Sequence, residues 1–262
     1  MGVSIHDLNI AIGGTPIVHG VDLEVRDGQR VGLIGSSGSG KSMIARAMMG
    51  LLPADARVTG SIDLNGEQVV GMRDRDLAAL RDAAVGMVFQ NPGSALNPLL
   101  TVARQIELPL KLHYDLSADD RAARVRAMMA RVGLPVELAG RRPHVLSGGQ
   151  RQRVGVATAL VTSPRLIIAD EPTTALDSLT QRQIVELLVS MVDEAGASML
   201  FITHDFSVLA HATQYAYVLD HGRIQEHGPT RRVLDAPASE AGARLVGAAR
   251  ELTLHGKEDD DE

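Results

Sequence analysis

Residues 35–42 read Gly35-Ser36-Ser37-Gly38-Ser39-Gly40-Lys41-Ser42 and satisfy the pattern G-x-x-x-x-G-K-[ST]. The glycines let the backbone turn tightly and aim successive N–H groups at one anion, at the positive end of the dipole of the helix that follows. The setting fits. Arg30-Val31-Gly32-Leu33-Ile34 is a short apolar run suited to a buried strand, and Met43 to Leu52 is helical in pattern until Pro53 stops it. Strand, glycine loop and helix make a phosphate-binding unit. Lys41 is expected to reach the β- and γ-phosphates of a nucleotide, and the Ser42 hydroxyl to bind Mg²⁺.

Around this unit the pattern alternates between strand and helix. Val21, Leu23 and Val25 alternate with polar residues before an Asp27-Gly28 turn, and strands are expected at 58–64 and 84–90 with a polar helix near Asp74–Arg81 between them. From Asn91 to about Leu160 the reading is helical: Thr101–His113, Ser117–Val132, opened by a capping-box variant, and Gln150–Val161. Strand-like runs return at Arg165–Asp170, Ser198–Thr203 and Tyr215–Leu219, and the helix carrying Ile184, Leu187, Leu188 and Met191 closes at Gly196. Such alternation implies an α/β fold with parallel strands and helical crossovers, interrupted by a helical insertion.

Composition narrows the function classes. At 262 residues, 45% apolar and 22% charged, the chain is long and apolar enough for a sizeable core. Zero cysteines exclude disulfides, thiolate zinc sites and iron–sulfur clusters. The net charge is -6, but Lys257 against Glu258, Asp259, Asp260, Asp261 and Glu262 supplies -4 of it, leaving a nearly neutral body that argues against a nucleic-acid-coating protein. That acidic end, residues 251–262, is expected to stay unpacked, because its charges bury no apolar surface to offset ordering entropy. Aromatic residues are 2%, too few for a base-stacking platform. No apolar run approaches the ~20 residues of a membrane span, and the opening Met-Gly-Val-Ser-Ile-His-Asp lacks the blocks of a signal peptide, so any membrane role is expected to be peripheral.

Two further motifs bear on chemistry. Arg165-Leu166-Ile167-Ile168-Ala169-Asp170-Glu171-Pro172 puts two carboxylates at the end of an apolar strand, where open parallel sheets bind ligands. Asp170 suits a Mg²⁺ role, directly or through water, and Glu171 suits the general base acting on an attacking water. Leu146-Ser147-Gly148-Gly149-Gln150 opens a helix, and two readings stand: a second anion site built from a hydroxyl and backbone N–H groups, or an N-capped helix with a flexible entry.

The phosphate loop, Gln90 at a strand end, LSGGQ at 146–150, Asp170–Glu171, Ala175-Leu176-Asp177 and Thr203-His204-Asp205 together resemble the ATP-binding-cassette ATPases, in that family's order and over residues 35–205. The resemblance implies a P-loop NTPase fold of the ABC-ATPase type: a mostly parallel core sheet, an antiparallel β subdomain and an inserted helical subdomain at about 91–162. Residues 1–250 would then form one ATPase domain, with a core at 1–90 and 163–250. It also implies ATP and Mg²⁺ as ligands and a head-to-tail dimer. In that dimer Ser147, Gly148, Gly149 and Gln150 of one subunit close on the γ-phosphate held by the other's phosphate loop. Gln90 would sense Mg²⁺ and the attacking water, His204 would hold the γ-phosphate and orient the base, and Asp177 would lie in the loop linking the two sites.

The segment Phe89-Gln90-Asn91-Pro92-Gly93-Ser94-Ala95-Leu96-Asn97-Pro98 is similar to the F-Q-x-P-x-x-x-L-N-P form of the peptide/nickel importer family. That resemblance implies a second, paralogous ATPase subunit, two permease subunits and an extracytoplasmic solute-binding protein as partners. It places the chain peripherally at the cytoplasmic face of the plasma membrane, with Asn91–His113 bordering the groove for a permease coupling helix. Two departures stand out: the chain lacks the cysteine-bearing C-terminal extension of many peptide-importer ATPases, and Ile12 takes the position of the aromatic that stacks on adenine. The lost stacking, worth about 1–3 kcal/mol per base, predicts poor discrimination between ATP and GTP. The competing expectations are a soluble cassette ATPase of translation or DNA repair, or an ATPase subunit for another solute.

Overall fold

The computed structural model describes residues 2–90, 95–174 and 176–248; Asn91–Ser94 of the importer-like segment, Ala175 and the acidic end lie outside them. The chain divides into two compact units, Asp74–Met199 and Gly2–Arg73 with the chain from Leu200 on.

In the second of these units, alternation builds an antiparallel sheet. Strands β1 (Val3–Ile12), β2 (Thr15–Val25), β4 (Ala56–Leu64) and β5 (Glu67–Gln68) lie in the order β2-β1-β4-β5. Val3, Ile5, Leu8 and Ile10 are buried, as are Val18, Val21, Leu23 and Val25. The change of phase between Ile5 and Leu8 is a β-bulge, with Asp7 in the left-handed region at φ 44°. Gly60 lies against it: a Cβ there would stand 2.2 Å from the Asp7 carbonyl oxygen.

The same unit carries β3 (Arg30–Ile34), α1 (Lys41–Met48), the end of β8 (Ser198–Thr203), β9 (Tyr215–Asp220) and β10 (Arg223–Pro229). Strand β3 lies between β8 and β9, pairs with β9 in parallel (Val31 with Tyr215, Ile34 with Val218), and β10 closes the edge antiparallel to β9. A helix not anticipated from the sequence, Phe206–Ala212, follows β8, and Thr230–Asp235 forms another after β10. Phe206 and Leu209 pack with Ile34, Val218, Val233, Ala241 and Val246, the last two from helical residues 240–248. Gly32 permits this approach, since a Cβ there would lie 2.2 Å from Leu209 Cδ1.

The Asp74–Met199 unit is mainly helical. After α2 (Asp74–Ala84), β6 (Val85–Val88) pairs in parallel with β7 (Leu166–Asp170). Between them run α3 (Val102–His113), α4 (Ala118–Arg131), two 3-10 turns and α5 (Gly148–Leu160); α6 (Ser178–Ala195) follows β7. The caps follow the sequence: Thr101 and Ser117 each accept a first-turn N–H, and Gly196 ends α6 at φ 57°. Strand β6 stops at Val88, two residues before Gln90, so the expected strand over 84–90 is shorter and Gln90 stands in the loop beyond it. Among the described residues no helix is long and apolar enough to cross a membrane.

Candidate functional site

The phosphate loop follows directly from β3. Gly35 is there because nothing larger fits: a Cβ would lie 2.1 Å from the Leu219 carbonyl oxygen on β9. Gly38 (φ 78°) and Gly40 (φ 105°) take left-handed conformations that glycine adopts without steric cost. Ser36, Ser37 and Gly38 form an exposed tip, whereas Ser39 and Gly40 are buried. Lys41 is only 4% exposed, and its ammonium donates to the carbonyl oxygens of Gly35 and Ser36, both at 2.8 Å, so the cation sits over the loop that carries it. Ser42 follows, half-buried in the first turn of α1.

Two observations test whether this loop fits a phosphate with Mg²⁺. Helix α1 starts at Gly40 with no side-chain cap and no acidic residue in its first turn, and Lys41 lies over the loop before it, so the helix dipole and the ammonium both bring positive potential to this end. The Ser42 hydroxyl stands in the first turn of α1, an oxygen donor of the kind used by an ion that binds through few protein groups and substrate phosphates. The residues therefore fit a nucleotide phosphate and its Mg²⁺.

A turn that sequence reasoning missed braces the loop. Gly222, between β9 and β10, donates its N–H to the Ser39 carbonyl (3.1 Å) and accepts from the His19 N–H on β2 (2.8 Å). Its φ of 72° and a would-be Cβ 2.2 Å from the Ile17 carbonyl oxygen exclude a side chain. The only signal was a His-Gly pair shortly after the strand-like run Tyr215–Leu219. In the same unit Ile12 ends β1, half-buried, opposite Thr15 across the Gly13–Gly14 turn. The Phe and Tyr residues of this unit lie on β8, β9 and the Phe206–Ala212 helix. His204 is exposed directly after β8, ahead of Asp205, which caps the Phe206–Ala212 helix.

In the Asp74–Met199 unit, β7 is buried throughout and ends at Asp170, 5% exposed. Glu171 turns sharply, at φ 45°, a left-handed conformation uncommon for a residue with a side chain and concentrated at functional sites. Its Oε2 accepts from Gln90 Nε2 at 2.8 Å and from Thr174 Oγ1 at 3.0 Å. Gln90 and Glu171, separated by 81 residues, are thus brought together.

The LSGGQ stretch forms a full capping box: Ser147 Oγ accepts from the Gln150 N–H (3.2 Å) and Gln150 Oε1 accepts from the Ser147 N–H (3.0 Å). Gly149 is tightly placed, since a Cβ would lie 2.8 Å from Thr180 Cγ2 in the first turn of α6, while one on Gly148 would make an ordinary 3.5 Å contact with Leu176. Asp177 caps α6 by accepting from the Thr180 N–H at 2.9 Å, and that bond holds its carboxyl below the usual range.

Comparison with known proteins agrees with this geometry. The ABC transporter family model matches residues 18–174. The oligopeptide transport ATP-binding protein OppD of Lactococcus lactis subsp. cremoris is 39% identical over 84% of this chain, which spans 66% of that relative, just under two thirds of its length. OppD of Escherichia coli K12 is 36% identical over 97% of this chain and 77% of its own. The dimeric post-hydrolysis structure of the ATP-binding cassette MJ0796, bound to ADP and Pi, superposes with a TM-score of 0.78 at 30% identity, covering 87% of this chain and 99% of that one. The chain belongs to the ABC transporter family and has the fold of its ATP-binding cassettes.

Proposed function

We propose that this chain is the ATP-hydrolysing subunit of a peptide importer. The observation that carries the reading is the phosphate loop, with Lys41 held over it and the uncapped start of α1 behind it, in a chain matched along 97% of its length by an oligopeptide transport ATP-binding protein. The loop amides and Lys41 would hold the triphosphate, and Ser42 and Asp170 would hold Mg²⁺, Asp170 directly or through water. Bound Mg²⁺ supplies charge neutralisation on the phosphate oxygens. Glu171 takes a proton from a water that attacks the γ-phosphorus in line, the bond to the β–γ bridging oxygen breaks, and ADP and phosphate leave. Gln90 orients that water from its bond to Glu171, and His204 steadies the γ-phosphate.

Two copies, or this chain and a paralogue, close head to tail on ATP, with Ser147 and Gly149 meeting the partner's nucleotide and Asp177 linking the sites. Closure by ATP and opening after hydrolysis then drive two permeases fed by a solute-binding protein at the membrane's cytoplasmic face. Exposed Leu99, Leu108 and Leu112 support α3 and the loop before it as the permease contact. Peptide is favoured over nickel because the relatives are oligopeptide transport proteins, and transport is favoured over a translation or repair role for the same reason.

Affinity capture of tagged Glu171→Gln protein with ATP from mild detergent, read by mass spectrometry, tests the reading. Permeases, a second cassette and a binding protein are expected; ribosomal or repair proteins alone would overturn it. Nucleotide competition tests the Ile12 expectation, with similar apparent affinities for ATP and GTP as the predicted result.

A further inference from the structure

We infer that Thr174 is a positioning residue for hydrolysis: its hydroxyl and Gln90 clamp one carboxylate oxygen of Glu171, so that the carboxyl plane, and with it the oxygen offered to water, is set before nucleotide arrives. The inference rests on Glu171 being the base. Thr174 holds Glu171 at both ends. Its N–H donates to the Glu171 carbonyl at 3.3 Å, closing the turn that φ 45° begins, and its Oγ1 donates to Oε2 at 3.0 Å. Gln90 Nε2 reaches the same Oε2 at 2.8 Å from a different stretch of the chain.

A glutamate has three rotatable side-chain bonds, and at a half-buried position one hydrogen bond leaves its plane free to rotate about the donor. Two donors converging on a single oxygen remove that freedom and direct Oε1 to the other side of the carboxyl carbon. The clamp also orients Gln90. A carboxylate accepts only from the amide NH₂, so Gln90 Oε1 is turned away from Glu171 and kept as an acceptor. Thr174 therefore acts on two groups of the proposed site without touching substrate. Its neighbour Thr173 is buried beside it, so a hydroxyl at 174 is the one that stands on the exposed side with the base.

The test is steady-state ATPase activity of the whole 262-residue chain with Mg²⁺, comparing Thr174→Val, Thr174→Ser, Gln90→Ala, Glu171→Gln and the Gln90→Ala/Thr174→Val double variant. Loss of one hydrogen bond to a charged group predicts about tenfold lower kcat for Thr174→Val with KM for ATP unmoved. Thr174→Ser should restore kcat to within about twofold, because it keeps the donor. The double variant should lose less than the product of the single losses. A wild-type kcat in Thr174→Val, with Glu171→Gln inactive, would overturn the inference and leave the base standing. Equal losses in the Val and Ser variants with a lowered Tm would also overturn it, showing a structural role. Unchanged turnover in Glu171→Gln would instead remove the base assignment itself.

Discussion

The phosphate loop and the Glu171 turn, which the proposed function assigns to one reaction, are built from different materials. The loop is built from main chain: Gly35 pressed on the Leu219 carbonyl, Ser39 bonded to Gly222, and an uncapped helix start, with the buried Lys41 side chain laid over them. The Glu171 turn is built from side chains: a carboxylate clamped by an amide from beyond β6 and a hydroxyl three residues on. A backbone site tolerates no added atoms, while a side-chain site tolerates them but depends on which functional group stands at each position. Substitutions should therefore fail in opposite ways at the two ends.

The largest effect is expected at the side-chain end. Glu171→Gln keeps the volume and removes the proton acceptor, so turnover should fall by about 10²–10⁴-fold while nucleotide binding persists; equilibrium binding beside single-turnover hydrolysis separates the two. Gly35→Ala should do the reverse, costing about 3 kcal/mol or more of stability and abolishing nucleotide binding, because the nearest atom is main chain that no rotamer change can move. Denaturant unfolding of that variant checks it, and near-native stability would break the contrast.

Smaller effects sharpen it within the helix starts. Gly149→Ala should destabilise by about 1 kcal/mol as Thr180 is displaced, whereas Gly148→Ala, with only a van der Waals contact, should be neutral or slightly stabilising through helix propensity. The smallest is a pH effect at Asp177. Its folded carboxyl lies below the ordinary 3.8 because of the Thr180 N–H, so its contribution is present above that value and is lost as pH falls through the depressed one. Thermal unfolding of Asp177→Ala should show a Tm deficit at neutral pH that closes on acidification.

How much of this was legible follows the same division. The loop at 35–42, the Asp170–Glu171 strand end and the LSGGQ helix start could be read because each is local: a turn, a strand and a cap whose residues are adjacent in the chain. Thr174 escaped notice because a threonine after Glu-Pro-Thr carries no signal until Gln90 arrives at the same oxygen. Gly222 escaped because its necessity lies in Ile17 and Ser39, far away in sequence. The strand expected to reach Gln90 stopped at Val88, and the helix at Phe206–Ala212 was missed for its shortness, its place set by packing on Gly32 rather than by its own periodicity.

By itself, the sequence determined the local chemistry: glycines where φ must be positive, a lysine after them, carboxylates at the end of an apolar strand, and capping residues at helix starts, all governed by interactions within a few residues. Tertiary structure alone decided which partner each group meets. Hydrogen bonds such as Gln90 to Glu171, and the pressing of Gly35 on Leu219, join segments whose approach depends on burying strand and helix faces together.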